Sequence, residues 1–538
     1  MSPPLFFLTT PIYYVTALPH LGHAYTTIMG DALCRYQRLR RGAANVFFLT
    51  GTDEHGEKLE RAAQAQGVPV RDFVTQVADT YRAAWKTLEI QYDDFIRTTE
   101  PRHETVVAEI WQRLVDNGDI FRDKYRGPYC VACESFYLEK DLLPGQLCPD
   151  HKQPVLEREE EGYNFRLSAY QDKLLRHYAE HPDFVEPAMR LNEVRAFVER
   201  GLKDLSVSRS SFKWGIPVPG DPDHVIYVWI DALTNYWSAL QQPPERRAFW
   251  GTSETPLAIH LIGKEISRFH AVYWPAMLMA AGLPPPRKIV AHGWWTVDGE
   301  KMAKALGNVV DPQVLAADIS AGAVRYFLLR EIPQGQDGDF SYHALIQRYN
   351  SELANDLGNL LSRAVSMTER YCEGTARRSG PPREDAVGGA ALAEAAERAR
   401  GAVEAAMDAL QPAPGLDALF ALVREGNAYL ERRQPWKLAT KDLAATGQVL
   451  YNALELLRWI GQMLTPFMPE RAAELRRQLG LAVPNDAAWP QTFGELPDGT
   501  KVQKGKALFP RISKEEETAL LNKWRTARRP AAGETVPA

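Results

Sequence analysis

The sequence predicts an open, mostly parallel α/β sheet, interrupted by an insertion and followed by an all-α helix bundle. Three observations carry this. Short apolar runs bounded by polar turns alternate with helical spacing in the first part of the chain, the pattern of βαβ units. A cysteine-containing stretch separates two groups of these runs. From about residue 345 onward the spacing is helical, as in a bundle.

The elements follow in order. "LFFLT" (5–9) reads as a buried strand, followed by a Pro-containing loop and a helix from about His20 to Arg41. "NVFFLTGTDEHG" (45–56) reads as a second buried strand ending in a polar turn, and residues 57–91 as amphipathic helix. Strand, crossover helix and strand make a parallel, right-handed unit. "VIYVWIDAL" (225–233), "LAIHLIG" (257–263) and "KIVAHGW" (288–294) are further buried-strand candidates. Beyond residue 345, segments such as "LDALFALVREGNAYLERR" and "LAATGQVLYNALELLRWIGQML" are helical, and "GTARRSGPPREDAVGG" (374–389) is a polar loop. The expected divisions are 1–117 and 223–292 for the two halves of the sheet and 118–222 for the insertion. A connecting region at 293–345, the bundle at 346–512 and a tail at 513–538 complete the chain.

With 538 residues, 45% hydrophobic and 24% charged, the composition is that of a water-soluble globular chain with more than one core. No apolar run is long enough to span a bilayer. No basic region precedes the apolar residues of "MSPPLFFLTT", so a signal peptide is not expected and a cytoplasmic location is. A net charge of −5 argues against a general nucleic-acid coater and leaves room for a local basic face. The last 38 residues carry nine Lys/Arg against four Glu and read as a solvated tail. Five cysteines do not make a disulfide scaffold. Cys34 and Cys372 stand alone and read as buried or inert.

The other three cysteines form a pattern. "YCVACESFYLEKDLLPGQLCPDH" places Cys130, Cys133, Cys148 and His151 as C-x2-C-x14-C-x2-H. Two short knuckles of soft ligands suit tetrahedral Zn²⁺, and four protein ligands leave no open position. One structural zinc ion is expected.

In "TPIYYVTALPHLGHAYTT" (10–27), His20 and His23 flank Leu21-Gly22. Such a pair is open to three uses: metal ligand, phosphate clamp or satisfied core. Its place after the first strand and at the start of the first helix favours phosphate, because a helix N-terminus offers N–H groups and positive potential. Gly22 permits close approach.

"PHLGH" resembles the HIGH signature of class I aminoacyl-tRNA synthetases, and "KMAKALGN" (301–308) resembles their KMSKS loop. "TPIYYVTALPHLGH", "FLTGTDEHGEK" (48–58), "YVWIDAL" (227–233), "GKEISRFHAVYWPAML" (263–278) and "QPWKLA" (434–439) are similar to the methionyl-tRNA synthetases in particular. The resemblance runs from residue 5 to about 512, and the single knuckle is that of the bacterial one-zinc form. The related enzymes for isoleucine, leucine and valine carry a large editing insertion, for which residues 118–222 leave no room.

The resemblance implies a Rossmann-type parallel sheet with a zinc-binding insertion and an all-α anticodon-binding domain. It implies ATP-dependent attachment of L-methionine to initiator and elongator methionine tRNAs through methionyl-adenylate, with Mg²⁺ accompanying ATP. His20 and His23, with Gly22, would hold triphosphate oxygens. Lys301 and Lys304 would close on the leaving pyrophosphate. Arg209 in "DLSVSR" resembles an arginine near the reacting phosphate. Glu265 stands where the family often has Asp, suited to the ribose. His292, Gly293, Trp294 and Trp295 would lie near the adenine. The methionine pocket would comprise Ile12, Tyr14, Asp53, Trp229, Leu233, Tyr236, Ile266, His270 and Trp274. On residues alone, Asp53 serves equally as an ammonium partner or a turn aspartate. Asn359, Arg363 and Trp436 match the anticodon-reading surface. The chain ends soon after "KALFPRIS" (506–513), where longer members add an oligonucleotide-binding module, so a monomer is expected.

Two other readings compete. A zinc-dependent hydrolase would need an open metal site. A synthetase-like tRNA-binding protein with decayed activation would account for Ala303 and Ala305, which replace the usual serines of the loop.

Overall fold

A computed structural model of the protein describes residues 4–16, 18–132, 135–137, 139–150, 152–297, 299–302, 308–333, 335–380, 388–482 and 489–527. Cys133, His151, Ala303, Lys304 and Ala305 lie outside them, as does the Lys301 side chain.

The centre is a six-stranded sheet of β1 (Phe6–Tyr14), β2 (Val46–Asp53), β3 (Asp94–Arg97), β4 (Val185–Glu186), β5 (Ala258–Gly263) and β6 (Lys288–His292). The order is β3-β2-β1-β5-β6-β4, and every neighbouring pair is parallel. Side chains alternate across it. Phe6, Leu8, Val46 and Phe48 join the core on one face, and Phe7, Phe47 and Leu49 join the core on the other. Both faces are covered, so the strands read as continuous apolar runs.

Three expectations for the first 300 residues need correction. β1 does not stop at Thr9; it passes through Pro11 to Tyr14, with a register shift between Thr9 and Ile12. A bulge tolerates a residue that has no N–H to donate. "VIYVWIDAL" is not a strand. Its first residues end a short antiparallel strand, Asp221–Ile226, and the rest opens helix Val228–Ser238, buried on several sides. An apolar run of this length cannot be told from a buried helix by periodicity. Residues 57–91 hold two helices, Glu57–Gln66 and Val70–Thr87, separated at Gly67 (φ +68) and Pro69.

The insertion is built on an antiparallel hairpin, Ile120–Cys130 with Leu156–Phe165. A small sheet of Glu300–Lys301, Trp295–Val297 and Gly338–Phe340 follows β6. The long bundle helices are Asn359–Cys372, Gly389–Asp408, Pro412–Arg433 and Leu443–Leu464. The segment expected to be a solvated tail contains helix Lys514–Ala527, whose buried Trp524 donates to Asp318 at 2.8 Å.

Bundle and sheet are joined by Arg325, which is 0% exposed. Its guanidinium donates to Asp31 on the first helix (2.6 Å), to the Leu88 carbonyl (3.1 Å), and to the carbonyls of Pro466 (3.1 Å) and Phe467 (2.7 Å). Asp31 also accepts from Arg35 and from the Gln91 amide. Among the described residues no helix is long and apolar enough to cross a membrane.

Candidate active site

Strand order reverses between β1 and β5, and ligands of open α/β sheets bind at the carboxyl ends of strands at such a point. Those ends carry Tyr14, Asp53, Gly263 and His292. Tyr14 and Asp53 are register partners.

Helix α1 (Leu21–Arg41) starts at this edge, with His20 as its N-cap. Nδ1 of His20 accepts from the Gly22 amide (3.1 Å), and Nδ1 of His23 accepts from the His20 amide (3.3 Å). This is a capping box built from two imidazoles in place of the usual hydroxyl and carboxylate. The rings stack with centroids 3.8 Å apart. A Cβ on Gly22 would lie 3.0 Å from the His20 ring, so glycine gives the ring its seat. Burial, aided by the neighbouring His20, holds His23 well below the usual histidine range. With each Nδ1 accepting, each neutral ring carries its proton on Nε2. The pair presents two N–H donors at a helix N-terminus.

Beside β1 and β5 lies an aromatic cluster on Val228–Ser238 and residues 266–274. Leu233, Tyr236, His270 and Trp274 are buried; Ile12, Trp229 and Ile266 are partly buried against the same cluster. The indole of Trp229 stacks on Phe269 at 3.6 Å and 9°. Tyr236 Oη and His270 Nε2 are 2.7 Å apart, and His270 Nδ1 lies 3.0 Å from the Ile266 carbonyl. Only an N–H can bond that carbonyl, so Nε2 is the acceptor and Tyr236 the donor. Burial pushes His270 down to about 4. Burial pushes Tyr236 up, and the nearby Asp53 carboxylate adds to this. Thus the structure joins Tyr236 to His270 and sets the Asp53 carboxylate near enough to act on Tyr236.

His292 ends β6. Its Nε2 accepts from the Thr26 hydroxyl of α1 at 2.7 Å, and its Nδ1–H donates to the Gly293 carbonyl at 2.8 Å. A Cβ on Gly293 would sit 2.0 Å from the Gln336 carbonyl, which requires glycine there. Trp294 donates from its indole to Glu265 at 2.7 Å; Trp295 is buried. Lys301 pairs with Thr296 in the small sheet. Beyond the loop, the Val310 carbonyl accepts from the Leu21 amide at 3.1 Å, tying that chain to the first turn of α1.

Arg209 is buried. It bonds the Ser206 and Ser208 carbonyls and lies over Tyr227 (4.4 Å), Tyr129 (5.7 Å) and Phe136 (5.5 Å). It sits between the helix that carries Trp229 and the knuckle that follows Tyr129. Cys130 and Cys148 are buried, and Tyr137, seven residues after Cys130, donates to Asp150, two residues after Cys148, at 2.6 Å.

In the bundle, the Arg363 guanidinium lies 5.5 Å over the Trp436 ring and bonds Glu431 at 2.6 Å. Asn359 is exposed at the start of the same helix as Arg363.

Sequence reasoning missed His260, buried beneath the pocket, where it bonds Thr9 (2.9 Å) and Trp274 (3.2 Å). It also missed Asp231, which accepts from His55 and His103, both at 2.7 Å. Burial works to raise the Asp231 carboxyl, but the imidazoles, His55 first, outweigh it and hold it below the usual range. A lone carboxylate inside the apolar run "VWIDAL" was the available signal.

The comparisons agree with this geometry. The family model of class I tRNA synthetases (M) matches residues 6–155 and 147–365, and that of the anticodon binding domain of methionyl tRNA ligase matches 382–529. The methionine–tRNA ligase of Caldanaerobacter subterraneus subsp. tengcongensis is 48% identical over 525 residues, covering 96% of this chain and 80% of that one. The Bacillus subtilis ligase is 42% identical, with 98% and 81% covered. The crystal structure of Mycobacterium tuberculosis methionyl-tRNA synthetase bound by methionyl-adenylate superposes with a TM-score of 0.88 at 42% identity, covering 94% of this chain and 100% of that one. Its ligand-free form gives 0.83 at 39% identity, with 95% and 99% covered. On the sheet, its paired histidines and these matches together, the chain belongs to the methionyl-tRNA synthetase family of class I.

Proposed function

We propose that this chain charges methionine tRNAs in two steps, activation of L-methionine by ATP and transfer to the terminal ribose of tRNA, and that the capped histidine pair carries the first. In that step the methionine carboxylate attacks the α-phosphorus and pyrophosphate leaves. The reaction asks for alignment and charge stabilisation. His20 and His23 donate from Nε2 to triphosphate oxygens, where the α1 terminus adds positive potential. Mg²⁺ accompanies ATP. Lys301 and Lys304 neutralise the leaving pyrophosphate, and charge-assisted bonds to phosphate are the strong ones.

The aromatic pocket takes the methionine side chain, whose flexible thioether suits walls of this kind. Asp53 pairs with the ammonium. Trp294 and His292 flank the adenine, and Glu265 faces the ribose. Arg209 bears on the same step from the knuckle side. Cys130 and Cys148, with Cys133 and His151, hold one structural zinc ion that fixes the insertion and takes no part in the chemistry. The buried thiols of Cys130 and Cys148 suit that ion. Trp436 and Arg363, with Asn359, read the anticodon of initiator and elongator tRNAs by stacking and edge bonds. We take the protein to act as a monomer in the cytoplasm.

The intact histidine pair outweighs Ala303 and Ala305, which replace neutral hydroxyls worth about 1 kcal/mol each. The deciding experiment is methionine-dependent ATP–pyrophosphate exchange. Native protein should exchange, and Lys304→Ala should lose on the order of 10²–10³ in rate, as when a preorganised donor is removed. A native chain without exchange, restored by Ala303→Ser with Ala305→Ser, would establish the decayed reading.

A further inference from the structure

Two carboxylates on Gly335–Phe340 have no part in the function above, yet both bind residues that border it. Asp337 accepts from Nζ of Lys264 at 2.7 and 2.5 Å and from the Trp294 amide at 2.8 Å. The same Lys264 ammonium lies 4.1 Å from the centre of the Trp294 ring. Asp337 thereby holds both the backbone of Trp294 and the cation that lies over its ring. Asp339, two residues on, accepts from the Thr296 hydroxyl (2.7 Å) and the Gly299 amide (2.9 Å). Gly299 has φ +77 and turns the chain from Trp295–Val297 into Glu300–Lys301, where the lysine loop begins. Between the two acids, Gly338 donates to the Trp294 carbonyl at 2.9 Å, and a Cβ there would meet Ile332 at 1.8 Å.

We propose that Asp337 and Asp339 are positioning residues for activation, Asp337 for the adenosine wall and Asp339 for the entry to the lysine loop. Both side chains are exposed, so core burial is not their purpose. Exposed carboxylates near a polyanion are unfavourable by Coulomb's law unless they do something there. Asp337 is paired with Lys264, and Asp339 is spent on a turn. The acids differ in what they hold, so their loss should appear in different kinetic constants. A residue that fixes a binding wall alters ground-state and transition-state binding alike and shows in KM. A residue that fixes a group engaged only in the transition state shows in kcat.

The proposal rests on Trp294 serving the adenine and the 301–304 lysines serving pyrophosphate, so Trp294→Ala and Lys304→Ala are measured beside it. Pyrophosphate exchange on the full chain is followed against ATP and methionine separately, with thermal midpoints. Asp337→Ala should raise KM for ATP roughly tenfold, the loss of a charge-assisted hydrogen bond, and leave KM for methionine unchanged. Asp337→Asn should recover most of this, because its amide oxygen still accepts from the Trp294 N–H. Asp339→Ala should lower kcat roughly tenfold with little change in KM for ATP, and Asp339→Asn should restore it. Should Asp339→Ala not fold, Thr296→Val removes one of the two bonds and should give a smaller fall in kcat. Equal changes in both variants, or a methionine KM that rises in step, would reduce the acids to fold stabilisers. If Trp294→Ala raises KM for ATP and Asp337→Ala does not, Asp337 has no such role. If Lys304→Ala loses exchange and Asp339→Ala keeps full kcat, Asp339 has none. An unchanged KM for ATP in Trp294→Ala would instead overturn the adenine assignment.

Discussion

Tyr236 donates its hydroxyl proton to Nε2 of His270 across 2.7 Å, because the other ring nitrogen of His270 donates to the Ile266 carbonyl. The pocket wall therefore shows the tyrosine oxygen's lone pairs to a substrate, not its proton. Tyr236→Phe should leave His270 Nε2 buried without a donor, at a cost of about 1–3 kcal/mol. KM for methionine should rise about tenfold or more while KM for ATP holds. Exchange kinetics check this, and a pair of KM values that move together would sink it.

Stability should fall on acidification through a definite window. The ordinary histidine value is 6.5, and His270 is held at about 4 by burial. Its folded value lies below its unfolded value. The stability is therefore complete above pH 6.5 and is lost as pH falls toward 4, since the unfolded chain takes up a proton that the folded one refuses. At about 1.4 kcal/mol per pH unit this one ring accounts for about 3 kcal/mol. His23, His260 and His292 are lowered too, by burial first, and steepen the decline. Denaturant unfolding at successive pH values should show a shallower slope for His270→Gln; an identical slope would mean that His270 is not held neutral.

Trp436→Ala should weaken tRNA charging by about 1–3 kcal/mol, the worth of one stacked base, and strip Arg363 of its aromatic partner. Methionine-dependent exchange needs no tRNA and should barely change. An equal drop in both reactions would make Trp436 a packing residue.

Cys148→Ser should lose zinc and loosen the insertion, because a structural ion contributes folding energy directly. Metal content and proteolytic sensitivity of residues 118–222 would follow together. A metal-free variant that stays protease-resistant and charges tRNA at full rate would rule the structural role out.

The sheet was legible because strands buried on both faces announce themselves, as in "NVFFLTG" and "LAIHLIG". Asp94–Arg97 and Val185–Glu186 were not, being too short to carry a pattern. "VIYVWIDAL" misled for the reason that makes it useful: a helix wedged into the core is buried nearly all round, so its period disappears. At the site, the histidine pair could be placed from its neighbours in sequence. Asp231, His55 and His103 could not be joined, since the bonds among them link residues more than a hundred positions apart. The partnership of Asp337 with Lys264 is hidden in the same way, by a separation of 73 residues.

Arg325 has a mechanical consequence. One buried guanidinium grips the helix capped by His20, the turn at Leu88 and the chain at Pro466 and Phe467, just past the bundle helix Leu443–Leu464. Swinging the bundle against the sheet would strand that charge, and breaking a buried pair costs about 3–5 kcal/mol. Arg325 thus resists a swing of the bundle against the sheet, and on the proposed function a tRNA held at Trp436 and at the histidines would have to adapt its own length to that fixed separation.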